Sequence, residues 1–296
     1  MLVDVAIIGA GPAGMAAALY CARAGKKVAL LEQEFIPGGQ MNNAVLIENY
    51  PGADKMSGAD LAFKMFEQLN EYDNLEFFAD EKVVHISQVH NNDTNEDFYS
   101  IQTTKKFYIS KVVIEAIGMK YKKLENTDDF DFIHYCATCD GPLFTGQTVG
   151  VLGDGNTAIS YALELSNYCQ KVYLFTLTDN LYGEEVNIEI LKNKPNIEQV
   201  VGKTHILGEH MVAITNEPGT ILHYYVEGLF VAIGMEYNEI KEASTNNLTK
   251  DHGYFRAGDC NKEHIVKRHQ VTLAVGDGTT AALDALDYLM EYENKN

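Results

Sequence analysis

Val3-Asp4-Val5-Ala6-Ile7-Ile8-Gly9-Ala10-Gly11-Pro12-Ala13-Gly14 decides the fold of this chain. An apolar run ends in three spaced glycines and gives way to Met15-Ala16-Ala17-Ala18-Leu19-Tyr20-Cys21-Ala22. That order reads as strand, tight turn and helix. The glycines permit the turn, a close approach of backbone to a pyrophosphate, and tight helix–strand packing. The helix N-terminus then offers N–H groups to the anion. Gly25 ends the helix, and Lys27-Val28-Ala29-Leu30-Leu31-Glu32 is the next strand. An acid at the end of this second strand is placed to hold ribose hydroxyls, and Glu32 fits. The expectation is a dinucleotide site built on Gly9, Gly11, Pro12, Ala13, Gly14 and Glu32.

The same pattern recurs one domain's length later. Thr148-Val149-Gly150-Val151-Leu152 leads into Gly153-Asp154-Gly155, a helix from about Thr157 to Tyr168 follows, and then the strand Lys171-Val172-Tyr173-Leu174-Phe175. An internal duplication of the nucleotide-binding unit is the economical reading. Between the copies, Leu75 to Phe107 alternates in short β-like runs around the polar turn 91–95. Val112 to Gly118 reads as a strand ending at a crossover, echoed by Leu229 to Gly234. Near the end, Gly253 to Asp259 precedes an Ala-rich amphipathic helix from about Gln270 to Met290. The expected fold class is α/β, with two doubly wound three-layer nucleotide-binding domains, the second inserted in the first. Residues 1–117 with 245–296 form the first domain and 118–244 the second.

Composition bounds the function. Lys+Arg 23 against Asp+Glu 42 gives a net charge of −19, which argues against nucleic acid or anionic membrane as partners. The start of the chain reads as a strand and not a signal peptide. No stretch approaches the roughly 20 apolar residues of a membrane span. Five cysteines without an export signal point to a reducing compartment, so cytoplasmic residence is expected.

Cys136-Ala137-Thr138-Cys139-Asp140 stands just before the second glycine turn. Cysteines at this spacing can close a readily reduced disulfide, and the motif raises the reactivity of one thiol. A CxxC also begins zinc sites, but no second CxxC or CxxH occurs in the chain. Cys21, Cys169 and Cys260 are read as small buried hydrophobes. A dithiol between two dinucleotide fingerprints is the layout of a flavin-dependent disulfide reductase.

Further motifs in the same order carry a resemblance to the low-molecular-weight thioredoxin reductase family over almost the whole chain. Gly38-Gly39-Gln40 with Glu48-Asn49-Tyr50-Pro51-Gly52 resembles its flavin-cradling segment. Ala257-Gly258-Asp259 and Gln270, before Ala274-Val275-Gly276-Asp277-Gly278, resemble its second FAD segment. The resemblance implies FAD, held by Gly39, Gln40, Asn49, Ala116, Gly118, Gly258, Asp259 and Gln270 together with the first glycine turn. It implies thioredoxin as partner and a homodimer. It also implies that Cys139 faces the flavin, Cys136 attacks the substrate disulfide, and Asp140 is the acid–base group.

The second nucleotide site departs from that family. There three consecutive glycines and a His-Arg-Arg stretch hold NADPH; here Asp154 takes the middle position, and no Lys or Arg lies between Lys171 and Lys192. Like charges a few ångströms apart cost on the order of 1 kcal/mol even under water-like screening. A 2′-phosphate has no guanidinium to receive it. NADH lacks a strand-end acid, since Phe175 and Thr176 occupy that region. The departure resembles the branch of ferredoxin-dependent flavin thioredoxin reductases, which take electrons without NADPH. Ferredoxin is therefore the expected donor. Lys120, Lys122 and Lys123, with Lys262, His264, Lys267, Arg268 and His269, are the candidate basic docking groups. The competing readings are a flavin dithiol oxidase using oxygen, an NADPH-dependent thioredoxin reductase with an atypical site, and a flavin redox sensor.

Overall fold

The computed structural model describes all residues except 45, 92–95, 128, 217–218, 241–248, 250–251, 263–268 and 296. The chain divides into two units, Met1–Met119 with Tyr237–Asn296, and Lys120–Glu236. The return crossing thus falls at 236/237, against 244/245 read from the sequence; residues 241–248 lie outside the described ones.

In the first unit β1 (Leu2–Ile8) and β2 (Val28–Leu31) run parallel, with Val5 opposite Val28 and Ile8 opposite Leu31. Between them α1 (Pro12–Arg23) starts on Pro12, whose fixed φ suits a first helical position. After α2 (Gly58–Leu69), β3 (Leu75–Phe78) joins β2. Ser57 caps α2 by accepting the Asp60 N–H at 3.0 Å. The meander β4 (Val83–Asn91), β5 (Glu96–Thr103) and β6 (Phe107–Glu115) completes the sheet order β3-β2-β1-β6-β5-β4.

Strand β6 runs parallel to β1, so Val5, Ile7, Val112 and Ile114 share one face with buried residues of α1 and α2. Val3, Ala6, Ile8 and Val113 share the other face with Val83, Ile86 and Tyr99 of the meander. Both faces are covered, which is why β1 reads as a continuous apolar run and not an alternating one. Each such side chain contributes roughly 1.5–3 kcal/mol by burial. The far face is covered by the meander, in the stretch read from the sequence as short β-like runs.

The second unit opens with β7 (Met119–Tyr121) and β8 (Ile133–His134), then α3 (Ala137–Asp140). It repeats the plan of the first: β9 (Thr148–Leu152), α4 (Asn156–Leu165), β10 (Lys171–Thr176), α5 (Glu185–Lys192) and β11 (Ile197–Val201). An antiparallel meander follows, β12 (Lys203–Gly208), β13 (Met211–Thr215) and β14 (Ile221–Tyr225), before β15 (Gly228–Val231). The parallel sheet has the order β11-β10-β9-β15-β8.

Helix α4 stops at Leu165, short of the expected Tyr168, because Ser166 turns its hydroxyl onto the Leu163 carbonyl at 2.6 Å. The chain returns on β16 (Met235–Tyr237), which pairs with β7, to β17 (Tyr254–Arg256) beside β6 and the long α6 (Val271–Lys295). Among the described residues no helix is long and apolar enough to cross a membrane.

Candidate active site

The first glycine turn is built by steric exclusion. Gly9 has φ +100°, and a Cβ there would stand 2.5 Å from the Ala116 carbonyl oxygen. A Cβ on Gly14 would fall 1.8 Å from Gly9 O. Gly11, the residue before Pro12, is different: its Cβ would meet nothing within 4 Å. The opening therefore lies at Gly11, at the N-terminus of α1, where an anion is stabilised by the unpaired N–H groups and the helix dipole.

Around that opening the structure gathers residues from distant segments. Glu32 is buried, its Oε2 accepting the Ala10 N–H at 2.7 Å and its Oε1 the Glu34 N–H at 3.0 Å. The Gly39 Cβ position is 3.4 Å from Gly11 Cα. Gln40 donates from Nε2 to the Met119 carbonyl at 3.3 Å, and Asn49 from Nδ2 to Gln270 Oε1 at 3.0 Å. Gly118 has φ +61° with open space beside it. Gly258 has φ +73°, and a Cβ there would approach Ala13 Cβ at 2.9 Å. Asp259 Oδ2 lies 3.0 Å from His269 Nδ1. A cleft of about 680 Å³ beyond the ends of β2 and β3, lined by Gln33, Glu34, Asp80 and Lys82, continues this edge of the sheet. Such an edge receives the far half of a dinucleotide in open α/β sheets. A cradle left open by glycines and floored by a buried acid fits FAD.

The dithiol belongs to the second unit. Cys136 and Cys139 form a disulfide with Cα atoms 5.3 Å apart. Cys136 precedes the single turn of α3, and its Sγ accepts the Cys139 N–H at 3.1 Å. Thr138 donates to Glu164 Oε2 at 3.2 Å. Burial pushes the Glu164 carboxyl above the usual range, and the Thr138 hydroxyl opposes that shift. Asp140 Oδ2 lies 2.9 Å from His134 Nδ1. Gly141 follows because a Cβ there would strike Tyr168 Oη at 2.2 Å.

The second glycine turn keeps its shape. Gly153 has φ +142°, with its Cβ position 2.3 Å from Ala232 O. Tyr182 N–H donates to the Asp154 carbonyl at 2.7 Å. Beside it is a cleft of about 390 Å³, and among the described residues Asp154 is the one charged residue lining it. Thr176 and Phe175 are buried at the end of β10, and Leu177 is exposed.

The sequence family of pyridine nucleotide-disulphide oxidoreductases matches residues 3–282. The chain belongs to that family. Thioredoxin reductase of Ureaplasma parvum is 32% identical over 314 residues, covering 97% of this chain and 96% of that protein. A 34.2 kDa protein of the rubredoxin operon of Clostridium pasteurianum is 33% identical over 315 residues, covering 97% of each. Lactococcus lactis thioredoxin reductase has the same fold with a TM-score of 0.86 at 31% identity, covering 98% of this chain and 99% of that one. As a pyridine nucleotide-disulphide oxidoreductase of thioredoxin reductase type, the chain is a flavoprotein disulfide reductase with FAD as its cofactor.

Three further side-chain contacts lie close to these groups. Asp277 accepts the Gly258 N–H through Oδ2 at 2.6 Å and so holds the turn at Gly258. Glu115 is buried beneath Tyr254 Oη at 2.8 Å and Arg256 Nε at 2.9 Å, bracing β6 against β17. His134 touches Asp140. Asp277 sits in a quoted motif whose role is set by a partner 19 residues away; the other two carried no local signal.

Proposed function

We propose that this flavoprotein reduces thioredoxin with electrons from reduced ferredoxin, without a nicotinamide. The observation that carries the reading is the cleft at the second glycine turn, whose one charged lining residue is the anion Asp154. Anionic 2′-phosphate and pyrophosphate groups find no counterion there. FAD, when bound, supplies chemistry that takes electrons singly or in pairs. The chain supplies the rest: Cys139 is the flavin-side thiol, Cys136 the substrate-side thiol, and Asp140 moves the proton.

Reduced Cys136, as thiolate, bonds to one sulfur of the thioredoxin disulfide, whose own S–S bond breaks. Cys139 then attacks Cys136 Sγ, re-forming the 136–139 disulfide and releasing dithiol thioredoxin. Two electrons and two protons pass per turnover, so two ferredoxins are oxidised.

The net charge of −19 opposes an acidic partner overall, so docking is local. Lys120 is paired with Glu236 at 2.9 Å and Lys262 with Glu239 at 3.0 Å, leaving Lys122 and Lys123 exposed. His264, Lys267 and Arg268 lie outside the described residues. A second reading, an NADPH-dependent thioredoxin reductase, is favoured by the retained shape of the Gly153 turn.

Anaerobic titration of the flavin absorption separates the two. Under the first reading NADPH and NADH leave the band unchanged, reduced ferredoxin bleaches it, and thioredoxin restores it. Fast bleaching by either nicotinamide establishes the second.

A further inference from the structure

His134 ends β8 two residues before Cys136, and its ring is locked. It stacks on Phe230 with ring centroids 5.2 Å apart and meets Phe144 edge-on at 5.0 Å. Its Nε2 is buried with no hydrogen-bond partner. A hydrogen on Nε2 would be an unsatisfied buried donor, so the ring hydrogen belongs on Nδ1. Nδ1–H therefore donates to Asp140 Oδ2 at 2.9 Å. Asp140 is 37% exposed, and without this bond its side chain is free to turn to solvent.

Among the described residues, most ionisable side chains around Asp140 are engaged elsewhere. On α4, Glu164 is engaged by Thr138 and Tyr161 by the Tyr135 carbonyl. Tyr168 stands against Gly141, and its buried Oη makes no hydrogen bond, to Asp140 or to any other described residue. Strand β15 brings Gly228, Leu229, Phe230 and Val231, none of them ionisable.

We infer that His134 is a positioning residue for dithiol exchange, holding the Asp140 carboxylate by an Nδ1–H hydrogen bond in the orientation that proton transfer needs. In the exchange each substrate sulfur leaves as a thiolate and takes up a proton, and the two protons come from Cys136 and Cys139 as these close their disulfide. A carboxylate carries those protons efficiently only when it is aimed at them. The inference rests on the disulfide-exchange half of the proposed function and not on the electron donor.

The test is the exchange rate of the full-length flavoprotein, reduced with dithiothreitol, desalted anaerobically and mixed with oxidised thioredoxin. His134→Phe keeps the aromatic packing and removes the donor. It is expected to lower the limiting rate about tenfold or more, with half-saturating thioredoxin changed by less than about twofold. His134→Asn, whose amide N–H replaces Nδ1–H, is expected to recover most of the rate. On an Asp140→Asn background, His134→Phe adds less than about twofold. Should His134→Phe fail to fold, His134→Leu takes its place.

A His134→Phe enzyme at the wild-type rate overturns the inference. So does an undiminished effect of His134→Phe on the Asp140→Asn background, which would show that the ring does not act through the carboxylate. If the wild type itself passes no electrons to thioredoxin, the proposed substrate is wrong. The same variants are then compared with the small substrate hydroxyethyl disulfide, whose leaving alkanethiolate must take up a proton, which tests His134 separately.

Discussion

Glu32 Oε2 accepts the backbone N–H of Ala10 at 2.7 Å, tying the end of β2 to the glycine turn after β1. Glu32→Ala leaves that N–H buried and unpaired, at a cost of about 1–3 kcal/mol, and removes the acid placed for the ribose. The variant is expected to unfold at lower temperature and to lose FAD on gel filtration. Glu32→Gln keeps an acceptor for Ala10 and should retain more stability than flavin. Thermal midpoint and the ratio of flavin to protein absorbance check both.

Gly11 and Gly14 separate binding from folding. Gly14→Ala drives a methyl into the Gly9 carbonyl oxygen and is expected to give little folded protein. Gly11→Ala meets nothing within 4 Å in the protein itself, so it should fold at a near-normal midpoint. Its methyl would project into the cradle, and the expected product is a colourless, folded protein.

These features were legible because their signals are local. The turn at Gly9 to Gly14, Glu32 at the next strand end and the CxxC of Cys136 and Cys139 each depend on spacing within about 25 residues. The repeated strand–turn–helix at Gly153 was legible for the same reason. Contacts such as His134 with Asp140 depend on where β8 and α3 come to lie, and nothing in Ile133-His134-Tyr135 announces it. Glu115 bonds to Arg256 across 141 residues, so only the pairing of β6 with β17 reveals it. The meander β12–β14 was also missed: its short strands lie where the sequence reading had marked no element.

Cys139→Ser and Cys136→Ser are each expected to reduce thioredoxin turnover below about one thousandth of wild type, since exchange needs both sulfurs. They differ in what remains. Cys139→Ser leaves a substrate-side thiol that traps thioredoxin as a stable mixed disulfide, visible on a non-reducing gel. Cys136→Ser retains the flavin-side thiol and traps none. Trapping of thioredoxin by Cys136→Ser and not by Cys139→Ser would reverse the assignment of roles, and full thioredoxin reduction by Cys136→Ser would overturn it.

Burial pushes the Cys21 and Cys260 thiols up to about 12 and Cys169 to about 11; at Cys260 the negative charge of Glu115 adds to the effect. The thiolate is the reactive form, so raising these values keeps all three unreactive at pH 8. Reduced, folded protein is expected to take two iodoacetamide labels, on Cys136 and Cys139, and denatured protein five. Mass spectrometry counts them. Labelling of Cys169 should begin only as the pH rises towards 11, before the other two.

If the missing cations are what bars NADPH, supplying them should admit it. Asp154→Gly combined with Leu177→Arg and Thr178→Arg removes the anion from the cleft and offers guanidinium groups at two exposed positions. NADPH affinity is expected to rise at least about tenfold, and NADH affinity by less, because only NADPH carries the 2′-phosphate. Isothermal calorimetry on the oxidised proteins measures this directly. No gain for NADPH would count against the charge argument.

The segment Lys120–Glu236 leaves and rejoins the rest of the chain on the paired strands β7 and β16. It is therefore a cassette: one uninterrupted stretch of gene encodes the dithiol and the cleft at the second glycine turn together, bounded by neighbouring ends. Grafting the corresponding stretch from a thioredoxin reductase of the same family requires two splices and leaves the glycine turn at Gly9 to Gly14 and Glu32 untouched. A lineage whose source of reducing power changes meets the same modest requirement, because substitutions confined to this stretch leave the first glycine turn and Glu32 unchanged.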